Sequence, residues 1–154
     1  MISCSSLAQD QYPNTVVKTA HQIHCLTEAV YHEARGEPLE GQAAVARVVM
    51  NRAKYPKTFG DSICKVVYQK RQFSWSANEK LSWTRHENSP VFLAIEAKVV
   101  IWMLADEANI PYVPVDVSTA TFFSNSRPMA HNLLYAGAIG HHDFYYNKNF
   151  LPAE

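Results

Sequence analysis

With 154 residues, 47% of them hydrophobic and 18% charged, the chain has the size and composition of one globular domain with a substantial core, which excludes a disordered chain. Lys plus Arg and Asp plus Glu both number 14, so no net field favours nucleic acid or an anionic membrane. The longest apolar run, "VFLAIEAKVVIWMLA", carries Glu96 and Lys98 and falls short of the roughly 20 residues that span a bilayer, so it reads as a buried helix.

Residues 1–20 are polar and aperiodic, with Pro13 and Asn14, and are expected to form a loose N-terminal arm ahead of a folded domain over 21–154. The opening "MISCSSLAQ" lacks a basic region followed by an apolar stretch, so no intact secretion signal is visible. From His21, the apolar residues Ile23, Leu26, Ala29 and Val30 recur three and four apart and predict a helix. Gly36 is of the type that ends helices in a left-handed cap, and Pro38 suits the first turn of the next helix. That second helix, over about 38–54, has Ala44, Val45, Val48 and Val49 as its apolar stripe, with Arg47 and Arg52 off it. Gly41, near its start, points to close packing.

Asp61 or Ser62 can cap a short third helix. The stretch "KRQFSWSANEKLSWTRHENS" has no sustained period, and a long irregular segment in a compact domain is usually functional or disordered; Phe73, Trp75 and Trp83 argue against plain disorder. A fourth helix starts with Ser89 as cap and Pro90 in its first turn and runs to about Ala108. "DVSTATFFSN" and "GHHDFYYN" read as two strands, and the connecting "SRPMAHNLLYAGAI" has room for one helical turn. The expected fold class is α+β, a mostly α single domain with a small antiparallel β element near the C-terminus.

The stretch "TEAVYHEARGEP" holds the chemistry-bearing candidates. Glu33 continues the stripe of Leu26, Ala29 and Val30, whereas Glu28 and His32 fall towards the polar side. A carboxyl group on a buried face near a helix C-terminus is pressed towards its protonated form, the state a general acid needs for glycosidic cleavage. The alternative is a structural carboxylate paired with Arg35, Arg47 or Arg52, or one capping a neighbouring helix. Seven histidines raise the question of a metal, but "HEARG" is not H-E-x-x-H, and His141 and His142 would point to opposite faces of a strand, so no metal site is expected. No G-x-S-x-G, Walker A or G-x-G-x-x-G pattern occurs, and no cofactor is expected. "QFSW" combines an amide, a hydroxyl and two aromatics suited to holding a sugar, or forms core beneath a loop. Cys25 and Cys64 are either a disulfide, if the protein works outside the cytoplasm, or two buried thiols.

Together, "CLTEAVYHEARGEPLEGQAAVARVVMNRA" and "ICKVVYQKRQFSW" resemble the SleB/CwlJ-type cell-wall hydrolases, strongly over residues 24–76 and more loosely through "TATFF" and "GHHDFYY". The resemblance implies a lysozyme-like domain that cuts peptidoglycan glycan strands. It implies Glu33 as the essential acid, with Gln72, Phe73, Ser74 and Trp75 lining the cleft and Thr121, Phe123, His142 and Tyr145 forming its β-side wall. A lytic transglycosylase needs only one carboxylate; a hydrolase would usually want a second, for which Glu37, Glu40 and Asp143 are the candidates. A non-catalytic glycan-binding module and a metal-dependent amidase are the rivals. Peptidoglycan is the expected partner, with no nucleic acid, no membrane span and a monomer as the default. The resemblance places the action at the cell wall, whether the enzyme is a phage lysis protein or a bacterial wall enzyme.

Overall fold

A computed structural model describes residues 14–70, 72–78, 88–125 and 131–150. The first helix, α1 (Asn14–Ala34), starts seven residues earlier than its apolar periodicity suggests, so residues 14–20 of the expected arm are helical; residues 1–13 lie outside the described residues. Its middle is enclosed on every side: Cys25, Leu26, Thr27, Glu28, Ala29 and Val30 are all fully buried. Six consecutive buried residues exceed a helical turn and a half, which no one-sided stripe can do. The helices that enclose it are α2 (Leu39–Arg52), α4 (Ile63–Val67) and α5 (Pro90–Glu107). The polar groups caught inside find partners: Thr27 Oγ1 donates to the Ile23 carbonyl at 2.8 Å, and Glu28 lies between His24 and His32.

Cys25 and Cys64 form a disulfide that ties α1 to α4 across 39 residues. By loop entropy such a cross-link stabilises by about 3–4 kcal/mol. Ser62 caps α4, its hydroxyl accepting from the Lys65 amide at 3.2 Å, and Ser89 caps α5 by accepting from Phe92 at 3.1 Å, with Pro90 in the first turn. Between α2 and α4 stands the single-turn helix α3 (Pro56–Phe59).

The turn between α1 and α2 departs from the left-handed cap expected at Gly36. Among the described glycines, only Gly60 and Gly140 take positive φ. The chain instead turns by a bond from the Glu37 amide to the Ala34 carbonyl at 2.9 Å. Gln42 braces this junction, donating to the Glu37 carbonyl at 3.1 Å, while Lys98 of α5 reaches its side-chain oxygen at 3.4 Å. Gly41 is there for close packing: a Cβ would stand 3.1 Å from Glu37 Cβ.

Three antiparallel strands follow, β1 (Phe122–Ser124), β2 (Leu133–Ile139) and β3 (His142–Asn147), in the order β1-β3-β2. β2 was not anticipated; "LLYAGAI" lacks clean alternation because a register shift between Tyr135 and Gly137 interrupts it. Part of the connection, residues 126–130, lies outside the described residues. The sheet is fastened to α2 by side chains, not by apolar packing alone. Arg47 Nε and Asn51 Nδ2 both donate to the Ser118 carbonyl at 2.9 Å, Asn51 also to Ala120 at 2.8 Å, and Arg52 Nε to Thr121 at 2.7 Å. These bonds aim the chain into β1.

Candidate functional site

Glu33 occupies the last turn of α1, one residue before its end, and is half-buried rather than turned into the core. Trp75 meets it from the short 3-10 helix Ser74–Asn78, its indole Nε1–H donating to Glu33 Oε1 at 2.8 Å. Aromatic rings continue from Trp75 to the sheet: Phe73 at 5.6 Å between centroids, Phe123 at 6.4 Å from Phe73, and His142 edge-on to Phe123 at 5.1 Å. Glu33, Phe73, Trp75, Phe123 and His142 thus share one wall, contributed by α1, the 3-10 helix and the residue before it, and strands β1 and β3.

Behind the wall lies Arg52, only 5% exposed. Its Nη1 donates to Gln72 Oε1 at 3.1 Å and its guanidinium lies 5.2–5.7 Å from the rings of Phe59, Phe73 and Phe122. Burial pushes its pKa down to about 10, an effect that the charge of Glu33 opposes, so it stays cationic at neutral pH. Arg52 therefore positions Gln72 and Thr121 while setting a positive charge near Glu33. Sequence periodicity put it off the apolar stripe and missed this role; its position in the "NR" that closes the motif was the available signal.

Thr121 joins mainly through its backbone, its amide donating to the Tyr145 carbonyl at 3.0 Å and its own carbonyl accepting from Arg52. His142 is 3% exposed, and burial holds its pKa below the ordinary histidine value against the pull of Glu37 and Glu33. Ser74 is exposed at the start of the 3-10 helix. Tyr145 is not brought to this wall. Three residues beyond His142 on the same strand, it points to the opposite face and packs edge-on against Tyr135 at 5.8 Å.

Glu37 is engaged elsewhere. Its Oε2 accepts from the His141 amide at 2.9 Å and its Oε1 lies 3.0 Å from His141 Nδ1. The His141 amide holds the Glu37 carboxyl below its usual range, ahead of the opposing effect of burial. The contact explains Gly140, at φ 59° in the β2–β3 turn: a Cβ there would lie 1.9 Å from Glu37 Oε2. Glu40 is exposed on α2, and Asp143 lies on the strand face opposite His142. The position of Glu28 corrects the expectation drawn from the helical projection: it is fully buried, because α1 is covered on its supposed polar side as well.

Among the described residues, His21, Cys25 and Cys64 have ligand-type atoms within 4.8 Å of one another, but the two sulfurs are already bonded to each other. His86 and Trp83 lie outside the described residues. A cavity of about 320 Å³ opens on another part of the surface, lined by Arg47, Lys54, Asp106, Ile110 and Tyr112 among others, and includes none of the wall residues. No helix among the described residues is long and apolar enough to cross a membrane.

The class so defined is that of α+β domains with a carboxyl group set in an aromatic wall. Comparison with known proteins narrows it. A family profile described as "Cell Wall Hydrolase" matches residues 36–145, so the chain belongs to the cell wall hydrolase family. The matched span begins just past Glu33. Among curated relatives, the spore cortex-lytic enzyme of Halalkalibacterium halodurans is 39% identical over 69 residues, 45% of this chain and 21% of that protein. The spore cortex-lytic enzyme of Bacillus subtilis (strain 168) is 38% identical over 69 residues, 45% of this chain and 22% of that protein. The spore cortex-lytic enzyme of Oceanobacillus iheyensis is 41% identical over 61 residues, 40% of this chain and 22% of that protein. The aligned region is thus about a fifth of the length of these relatives. No solved structure gives a significant match.

Proposed function

We propose that this domain cleaves the glycan strands of peptidoglycan, between N-acetylmuramic acid and N-acetylglucosamine, with Glu33 as its acid and base. The observation that carries the reading is the separation of the carboxylates. Glu33 faces the aromatic wall through one side-chain hydrogen bond, while Glu37 is bound to the hairpin, and Glu40 and Asp143 point elsewhere. Kinship with spore cortex-lytic enzymes supports the substrate, and the Cys25–Cys64 disulfide fits work in an oxidising compartment.

A single carboxyl group suits lytic transglycosylation, since the substrate supplies the nucleophile. Protonated Glu33 gives its proton to the glycosidic oxygen, and the bond from that oxygen to C1 of the muramic acid breaks through an oxocarbenium-like state. The C6 hydroxyl of the same sugar then bonds to C1 and returns its proton to the Glu33 carboxylate, leaving a 1,6-anhydro end. Trp75 and Phe123 offer stacking faces over buried Phe73, and Gln72 and Ser74 offer polar groups to the sugar; Thr121 and His142, nearly fully buried, shape the wall, and Tyr145 supports the sheet from behind.

Mass spectrometry of the digest tests this. Anhydro-muropeptides, about one water lighter than reducing ends, are expected, and they disappear in Glu33→Gln. Reducing ends alone would make the enzyme a hydrolytic muramidase. Wall binding without product would make it a glycan-binding module.

A further inference from the structure

Glu28 is fully buried on α1, five residues before Glu33, and takes no part in the chemistry above. A buried carboxylate is costly unless it is paired, and an apolar side chain would fill such a position at less cost. Its partners suggest what it does. Glu28 Oε2 lies 3.0 Å from His32 Nε2, and Oε1 lies 3.5 Å from His24 Nε2. The ring of His32, so held, stacks on the indole of Trp75 with centroids 4.3 Å apart and planes 19° apart. That indole makes the 2.8 Å bond to Glu33 Oε1.

Phe73 at 5.6 Å and Tyr68, edge-on at 6.3 Å, also meet Trp75, but His32 is the nearest of these three rings. The chemistry of the last bond sets the consequence. An indole N–H donates and cannot accept, so Oε1 must remain an acceptor whether Glu33 is ionised or not. The carbonyl oxygen of a protonated carboxyl accepts better than its hydroxyl oxygen, so this bond favours the acidic proton on Oε2.

We propose that Glu28, His32 and Trp75 form a positioning relay that favours the proton of Glu33 on Oε2 and so sets the direction from which the glycosidic oxygen is protonated. The proposal rests on the reading of Glu33 as the acid. His32 and Glu28 act through Trp75 and are positioning residues.

The test combines steady-state cleavage of glycan strands with the ¹⁵N–¹H indole resonance of Trp75 in the full chain. In His32→Ala the resonance moves to the position of a free indole and its exchange quickens, while kcat falls about ten- to a hundredfold and KM changes little. His32→Phe, which restores the stack but not the bond to Glu28, keeps the resonance and recovers kcat only in part, to about threefold or more below the native chain; full recovery would remove Glu28 from the relay. Trp75→Phe, which keeps a ring but removes the donor, lowers kcat about as much as His32→Ala. Full kcat in Trp75→Phe beside an inactive Glu33→Gln overturns the relay alone, as does a His32→Ala loss with the indole resonance unmoved. Retained turnover in Glu33→Gln overturns the acid reading and the relay with it. If His32→Ala fails to fold, His32→Phe and Trp75→Phe decide the matter: loss of the resonance in the first, or full activity in the second, sinks the proposal.

Discussion

Two glutamates four residues apart, Glu33 and Glu37, have opposite environments. Glu33 meets one side-chain donor, the indole of Trp75, and stands half-exposed at an aromatic wall. Glu37 accepts from a backbone amide and contacts an imidazole, both from His141, and its side chain is only 10% exposed. Protonation of Glu37 would weaken the contact that joins the α1–α2 junction to the β2–β3 turn. What separates the two environments is the partner, since the residue type is the same.

The comparison can be broken by exchanging the losses. Glu33→Gln is expected to lower strand cleavage by about a thousandfold or more while leaving thermal unfolding nearly unchanged; a large fall in Tm would show Glu33 to be structural. Gly140→Ala should be the severest change on the other side, since an alanine at φ 59° is strained and its Cβ meets Glu37 Oε2. A loss of about 2–3 kcal/mol by urea denaturation is expected, and an unchanged midpoint would refute the close contact. Glu37→Gln keeps the shape but weakens the charge-assisted bond to the His141 amide; a loss of about 1–2 kcal/mol with cleavage chemistry retained sharpens the contrast.

The smallest effect is in pH. The folded-state pKa of Glu37 is lowered, so its contribution is full above the ordinary value of 4.5 and is lost as pH falls through the folded value. His142 is also lowered, by burial, so below its ordinary 6.5 the unfolded chain binds a proton that the native state resists. Stability should therefore fall on acidification in two stages, the first beginning near pH 6.5 and removed by His142→Phe, the second near pH 4.5 and removed by Glu37→Gln. Unfolding midpoints across pH 3–8 check both, and a flat profile would contradict them.

Much of the local structure was legible. The Ser89-Pro90 start of α5 and the cap of α4, at Ser62 rather than Asp61, follow from propensities acting within a few residues, whereas α2 is buried well beyond its stripe, Gln42, Asn51 and Arg52 included. Strand β2 was not legible, because the register shift between Tyr135 and Gly137 breaks its alternation and its pairing depends on β3. For the site, "EARGE" and "QFSW" could be singled out from the residues, but their meeting was implied only by the family resemblance. Trp75 and Glu33 are 42 residues apart, and Arg52 reaches Thr121 across 69.

By itself the sequence singled out the candidates for chemistry: a glutamate at the end of a helix, aromatics in an irregular stretch, and two cysteines able to pair. Only the tertiary structure decided the role each takes. It buried Glu28 by covering α1 on all sides, tied Glu37 to the hairpin, and turned Tyr145 away from the wall that holds His142. The reason is physical. Helix and strand periods specify the face of an element, whereas burial and charge partners depend on what the rest of the chain packs against that face.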